Sequence, residues 1–430
     1  MKILFLTQYW SPETGVPQRR WSWLCDVLID AGNEVFVIAP PPRTGRGKKI
    51  DVAGRHRDSR PAIEGRNAEV VYRSFRPKSG NSISAKMAEQ LLVAAGQILV
   101  GRGVVKDVAP DLIIGTVPAI PTAVVTYILS KLSRTPYIID LRDAWPDLLR
   151  QADQWNTGVG RKSAREVIAQ FGPLQVLSRG TEISLNIVLR NASAILVTSA
   201  NLRDNLQRRR SLLRRGRRPR VEVIRNVFPL ESSWRKNQSK GYESDATLKV
   251  LYAGTIGRAQ NLLNALEAAK LAEQQGVHVS LTFVGAGASK ENLKQQAEQL
   301  GVDAAFVNQQ LPGKLDRFYT WADTALVHLT EWEPLERTVP SKTYELMERG
   351  IHISAVVQGE AAELVRKLKA GDVVEPGDPT QLAALWIELA SDRSRLRTTD
   401  SGRRWVVNQR MNVAPSMFLE VINGVCDPSK

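Results

Sequence analysis

The sequence predicts an α/β protein of two domains, each built around a parallel sheet. Three observations carry this. The 430 residues exceed what one ordinary core accommodates. Short apolar runs alternate with stretches of helical spacing, the pattern of strand–helix–strand units. A polar stretch, Ser232–Ala246, interrupts the alternation, which restarts at Leu248. The spacing therefore predicts a first domain over 1–232, a linker over 233–246 and a second domain from 247.

Ile3–Thr7 reads as a first buried strand; it is too short for a signal peptide and no small-residue cleavage site follows. Arg19–Ala31 has helical spacing and stops at Gly32. Strands follow at Glu34–Ala39, Val70–Tyr72 and Leu112–Gly115. The apolar segment from Leu112 to Leu129 is broken by Gly115, Pro118 and Pro121, so it reads as a strand, a turn and a helix rather than a membrane span. Further strands are predicted at Pro136–Asp140, at Ala194–Val197 before Thr198, Ser199 and a basic helix, and at Val221–Ile224. In the second domain they fall at Leu248–Tyr252, Val279–Val284, Ala325–Leu329 and Ile353–Val356. Pro41–Asn67 is rich in Arg, Lys, Gly and Pro and is expected to be poorly ordered. Gln207–Arg220, dense in arginine, is expected to behave likewise.

Apolar content of 43% with 24% charged residues is ordinary for a soluble globular chain. The two cysteines, Cys25 and Cys426, give no disulfide framework and suit a reducing cytoplasm. They and the four histidines (His56, His278, His328 and His352) show no metal-ligand spacing, so no metal site is expected. His328 sits on an apolar strand and reads as a core histidine. The net charge of +15 favours anionic partners: nucleic acid, acidic phospholipid or phosphorylated substrates.

One segment concentrates the chemistry. Val339–Gly350 places a hydroxyl (Ser341), a cation (Lys342) and a carboxylate (Glu345) at the start of a helix opened by Pro340. Ser341 and Lys342 then flank unpaired N–H groups at the positive end of the helix dipole, a place for a diphosphate. Glu345, one turn on, could accept two hydrogen bonds from a ribose diol. A capped surface helix with a solvated Lys–Glu pair fits the local pattern equally. In open α/β sheets ligands bind beyond the carboxyl ends of strands. Two further loops lie there: Gln8–Pro17 with Gly15, and Tyr252–Arg258 with Gly254, Thr255 and Gly257. The second lacks G-x-G-x-x-G, so a dinucleotide fingerprint is absent.

Taken in order, five features resemble one family. They are the Leu-Thr-Gln-Tyr-x-x-Pro-Glu opening loop, Asp140–Asp147, Tyr252–Gln260, the Pro340-Ser341-Lys342-x-x-Glu345 block and Gly359–Glu363. Together they are similar to glycosyltransferase family 4, retaining enzymes of the GT-B fold, and to its bacterial surface-polysaccharide members. The resemblance implies two Rossmann-like domains facing a central cleft, with the donor domain at 247–403 and helices from about 404 to 430 crossing back to the first domain. It implies a nucleotide-sugar donor, UDP-linked at the family level, and a glycan or lipid-linked acceptor. Glu345 would hold the ribose; Ser341, Lys342, Gly254 and Thr255 the diphosphate; Gly15 would close over the donor; Glu363 falls in the last donor-side motif. Two positions depart from the family. Its Glu-x7-Glu would need a carboxylate where Arg337 stands, with Glu336 one residue away, and its loop Arg and Lys fall at Thr255 and Gln260.

Arg258, the nearest cation, and Lys342 are therefore assigned to neutralise the leaving diphosphate, with no cofactor or essential metal expected. Asp143 fits an acceptor-positioning group or base; a cap or a partner of Arg142 fits as well. Ser82–Val100 carries Ile83, Met87, Leu91, Ala94, Ile98 and Leu99, flanked by Arg76, Lys78, Lys86 and Arg102. It reads either as a helix packed on its own domain or as an amphipathic helix at an anionic membrane surface. The second reading, with the Arg208–Arg220 run, would place the protein on the cytoplasmic face of the plasma membrane. A nucleic-acid-binding protein is the alternative of a different class, but the basic runs lack interleaved aromatics, so no nucleic-acid partner is expected. A GT-B epimerase or a non-catalytic nucleotide-sugar binder remains the nearer alternative.

Overall fold

The computed structural model describes residues 1–11, 13, 15–42, 57–59, 69–77, 83–117, 119–150, 173–213, 216–236 and 247–427. Most of the expected disordered segment 41–67, most of the linker 233–246, and Lys78, Pro118, Arg214 and Arg215 lie outside these. The chain divides into two compact units. One comprises Met1–Pro146, Val176–Phe228 and Asn412–Lys430; the other comprises Asp147–Gln175 and Pro229–Met411.

The first unit holds strands β1 (Lys2–Leu6), β2 (Glu34–Ala39), β3 (Arg57–Ser59), β4 (Val70–Arg73), β5 (Leu112–Val117), β6 (Tyr137–Leu141), β7 (Ala194–Val197) and β8 (Arg220–Val223). They form one sheet in the order β3-β4-β2-β1-β5-β6-β7-β8. Every pairing is parallel except β3 with β4. β3 falls within the segment expected to be poorly ordered. Helices α1 (Val16–Asp30), α2 (Ile83–Val108) and α3 (Ile120–Ser133) connect the first half. The single turn α4 (Asp147–Arg150) is assigned to the second unit, and the first resumes within α5 (Pro173–Asn191) and continues to α6 (Ala200–Arg208), the last capped by the Ser199 hydroxyl accepting from the Leu202 N–H at 3.2 Å. β1, β5, β6 and β7 are buried on both faces, as continuous apolar runs in a parallel sheet should be.

The second unit holds β9 (Thr247–Ala253), β10 (His278–Val284), β11 (Ala304–Val307), β12 (Thr324–His328), β13 (His352–Val356) and β14 (Gly371–Val374). Their order is β11-β10-β9-β12-β13-β14, all parallel. Helices α7 (Leu263–Gln274), α8 (Lys290–Leu300), α9 (Asp316–Trp321), α10 (Ser341–Arg349), α11 (Gly359–Lys367), α12 (Pro379–Ser391) and α13 (Ser401–Asn408) connect or cover them. The core under α7 and α12 is formed by residues such as Leu266, Phe283, Trp386 and Leu389, each at most 1% exposed. After β9 the chain winds outward to β10 and β11, then returns to place β12 on the other side of β9. That reversal is a topological switch point, where loops diverge and leave a crevice.

α14 (Ala414–Cys426) belongs to the first unit, where Phe418 packs edge-on to Trp21 with ring centroids 6.0 Å apart. Among the described residues no helix is long and apolar enough to cross a membrane.

Candidate functional site

At the switch point of the second sheet two loops run side by side. The loop after β9 donates from Gly254 N to the Val284 carbonyl (2.9 Å) and from Ile256 N to the Ala286 carbonyl (3.0 Å). Ser289 N returns a bond to the Ile256 carbonyl at 3.1 Å. Glycines make this approach possible. A Cβ on Gly285 would lie 1.8 Å from the Gly254 carbonyl oxygen, and one on Gly287 2.0 Å from that of Ile256. Thr330 N donates to the Ala259 carbonyl (2.9 Å), tying in the segment after β12. Gly285 and Gly287 escaped the sequence reading, although a strand ending in Gly-Ala-Gly was a legible sign.

Lys342, the second residue of α10, reaches this loop. Its Nζ stands 3.6 Å from the centroid of the Tyr252 ring. A Cβ on Gly254 would come within 2.5 Å of that nitrogen, so the glycine leaves room for the lysine. The Tyr252 hydroxyl donates to the Thr255 carbonyl at 2.6 Å, which fixes the ring beneath the amine. The lysine as a residue is half-buried, yet Nζ itself is fully covered and has no hydrogen-bond partner among the described residues. Burial lowers its pKa to about 7, with the Glu345 carboxylate opposing. A covered amine facing an aromatic ring and lacking an acceptor is ready for an anion. Arg258 is half-buried in the same loop, and its Nε is also covered without a hydrogen-bond partner among the described residues.

Ser341 opens α10 after Pro340, and Thr343 N donates to the Pro340 carbonyl at 2.9 Å, leaving the two preceding positions at the helix start. Glu345 is braced: Oε1 accepts from Arg349 Nε at 3.0 Å. Arg349 is 1% exposed and also donates to the Trp234 carbonyl (3.0 Å) and Asp316 (3.2 Å), over the Tyr319 ring. Glu363 is exposed on α11, where the carboxylate turned inward is Glu360, 4% exposed. Gly359, at φ +61°, carries the backbone past Glu336, whose carbonyl a Cβ would meet at 2.0 Å. Arg337 is 7% exposed and bridges Asp147 (2.8 Å) and Glu333 (2.9 Å). It is a packing cation at the position where the family has a carboxylate.

His328, at the end of β12, is buried with Nε2 3.0 Å from the Asn264 amide. Burial, with Lys342 acting in the same direction, pushes its pKa down to about 3, so it is neutral.

Gly15 and Asp143 lie in the first unit. Gly15 precedes α1 in extended backbone, is exposed, and its carbonyl accepts from Arg19 N at 3.0 Å. Among the described residues a Cβ there would meet only Pro17 Cδ, at 3.3 Å. Asp143 follows β6, and burial raises its pKa, with Asp140 adding and Arg142 opposing. Arg142 does not bond to it: its Nε donates to the Val117 carbonyl at 2.9 Å. Asp140 is a structural anion, accepting from Arg20 (2.9 and 3.3 Å) and from Trp21 Nε1 (2.8 Å).

Residues 235–405 match the family model described as glycosyl transferases group 1. No curated protein sequence matches the chain. Among solved structures, the sucrose-phosphate synthase of Thermosynechococcus elongatus is similar over 98% of both chains, with TM-score 0.66 and 16% identity. HepE of Anabaena, solved with UDP-glucose, covers 99% of both chains at TM-score 0.59 and 18% identity. The lipopolysaccharide outer core galactosyltransferase WaaB covers 99% of both at TM-score 0.60 and 14% identity. Residues 235–405 thus resemble glycosyl transferases group 1, and the chain has the GT-B fold.

Proposed function

We propose that this protein is a retaining family 4 glycosyltransferase that moves a sugar from a UDP-sugar to a glycan or lipid-linked acceptor in cell-envelope polysaccharide assembly. The observation that carries the reading is the covered Lys342 Nζ, without a hydrogen-bond partner among the described residues, seated between Gly254 and the Tyr252 ring. Likeness to HepE, solved with UDP-glucose, supports the donor class. Likeness to WaaB, a galactosyltransferase of the lipopolysaccharide outer core, supports the envelope role.

In the reaction the bond from the sugar's anomeric carbon to the diphosphate breaks, and a bond to the acceptor hydroxyl oxygen forms on the same face. Negative charge develops on the departing diphosphate. Lys342, Arg258 and the N–H groups at Ser341 and Lys342 are assigned to stabilise it, so that protein cations do the neutralising. The loop at Gly254 and Thr255 holds the phosphates close to backbone, and Glu345, braced by Arg349, holds the ribose. The acceptor's proton leaves to a phosphate oxygen or to Asp143, whose pKa burial raises above the ordinary carboxylate value. Gly15 and Glu363 are assigned supporting roles in donor binding.

Thermal-shift screening against nucleotide sugars tests the reading. A UDP-sugar should raise the melting temperature, and Glu345→Ala should remove most of that shift. No response to any nucleotide sugar, or an undiminished shift in the variant, would count against it.

A further inference from the structure

The chain enters the second unit through an extended segment, residues 229–236, that pairs with no strand among the described residues. Its side chains alternate. Ser232, Trp234 and Lys236 are half-buried, while Glu231, Ser233 and Arg235 are exposed, the period of two that extended backbone imposes. The composition marks 233–246 as a linker, yet each inward residue at its start is tied down. The Ser232 hydroxyl donates to Asp316 Oδ2 and accepts from Trp234 N at 3.2 Å. The Trp234 ring stacks on Tyr319, with centroids 6.0 Å apart and planes 21° from parallel. The Lys236 amine donates to the Ala322 and Asp323 carbonyls, the second at 3.2 Å, closing the C-terminal end of α9.

These ties converge on Arg349, which is 1% exposed. Its Nη1 donates to the Trp234 carbonyl at 3.0 Å and to Asp316 Oδ1 at 3.2 Å. Its own carbonyl accepts from Lys236 N at 2.9 Å. Asp316 thus holds Ser232 with one oxygen and Arg349 with the other. Tyr319 meets both the Trp234 ring and the Arg349 guanidinium, the latter 4.8 Å from its centroid. A guanidinium fixed at these points has one direction left for Nε, and that bond goes to Glu345 Oε1 at 3.0 Å. Oε1 is so occupied, leaving Oε2 for a ligand. A glutamate has three rotatable side-chain bonds, and a fixed arginine confines it to few rotamers.

We infer that residues 229–236 form a strap whose Ser232 and Trp234 are positioning residues for Glu345, a role that rests on the assignment of Glu345 to the donor ribose. They act through Asp316, Tyr319 and Arg349, and they lie outside every donor motif. Without the Ser232 hydroxyl, Asp316 loses its tie to the strap and Trp234 N loses its acceptor. Arg349 then gains freedom, and Glu345 with it.

Two measurements on the full-length chain test the strap. The first needs no donor. Ser232→Ala and Glu345→Gln are combined in a double-mutant cycle read by denaturant unfolding. The combined cost should fall short of the sum of the two, because both changes act on one hydrogen-bonded chain. The second is calorimetric titration with UDP and with inorganic pyrophosphate, which has no ribose. UDP should bind Ser232→Ala and Trp234→Ala about fivefold more weakly than wild type. Pyrophosphate should bind all three alike. Ser232→Thr, which keeps the hydroxyl, should bind UDP like wild type, and in a Glu345→Ala background neither strap change should weaken UDP further. Additive costs in the unfolding cycle, or parallel loss of UDP and pyrophosphate, would make the strap a packing element and overturn the inference. Unchanged UDP affinity in both strap variants would overturn it as well. Wild-type protein that binds no UDP would overturn the donor reading itself, and the strap's role with it.

Discussion

Lys342 Nζ stands 3.6 Å from the centroid of the Tyr252 ring, covered, with no hydrogen-bond acceptor among the described residues. An ammonium in that position is stabilised by the ring face and by Glu345, but it has lost its water. Binding an anion would restore what burial removed. Lys342→Met should therefore separate stability from function. The melting temperature should hold or rise, because a poorly solvated charge is gone. Transfer rate should fall by about 10²–10³-fold. A variant that melts lower and keeps its rate would make the lysine structural.

The lowered pKa gives a pH signature. The unfolded lysine titrates near its ordinary 10.5 and the folded one near 7. Between those values the unfolded chain holds more protons at this site, so this group's contribution to stability rises with pH across the window. The melting-temperature gain of Lys342→Met over wild type should thus be largest below pH 7 and shrink toward pH 10. A diphosphate would favour the charged form, so donor binding at about pH 8 should take up close to one proton, read by calorimetry in buffers of different ionisation enthalpy.

Gly285 faces the Gly254 carbonyl across 1.8 Å of would-be Cβ contact, and backbone cannot yield as a side-chain tip can. Gly285→Ala should cost about 1–3 kcal/mol in denaturant unfolding and weaken donor binding by displacing the Gly254 loop. Gly15→Ala should leave stability within about 0.5 kcal/mol, because its backbone is extended and, among the described residues, only Pro17 is near.

Arg349 braces Glu345 from a fully buried position. Arg349→Met should cost about 3 kcal/mol by stranding Asp316 and the Trp234 carbonyl, and should raise the donor KM. Glu345→Gln should raise the donor KM with little loss of stability, measured by the same unfolding curve.

Much of this was legible in the chain. β2 and β7 match the predicted strands to the residue, because buried parallel strands are unbroken apolar runs with clear ends. β11 and β14 escaped notice. Each is a four-residue edge strand, and none of their residues is buried, so no apolar run marks them. The Ser341–Glu345 block could be read as an anion site, but not the aromatic seat that Tyr252 provides, which depends on residues far apart in sequence. Arg337 looked like a missing carboxylate; its pairing with Asp147 and Glu333 shows it filling a packing role instead. Along α2 the sequence pattern could not tell the packed face from the exposed one, because apolar residues surround the helix and only burial separates Val93 and Val104 from Leu91 and Leu99.

Calorimetric titration of UDP into wild-type protein and Lys342→Met weighs the central claim most directly. If Lys342 is the amine that receives the diphosphate, affinity should fall by at least about tenfold in the variant, with proton uptake abolished. Equal affinity and equal proton uptake in the two proteins would contradict it.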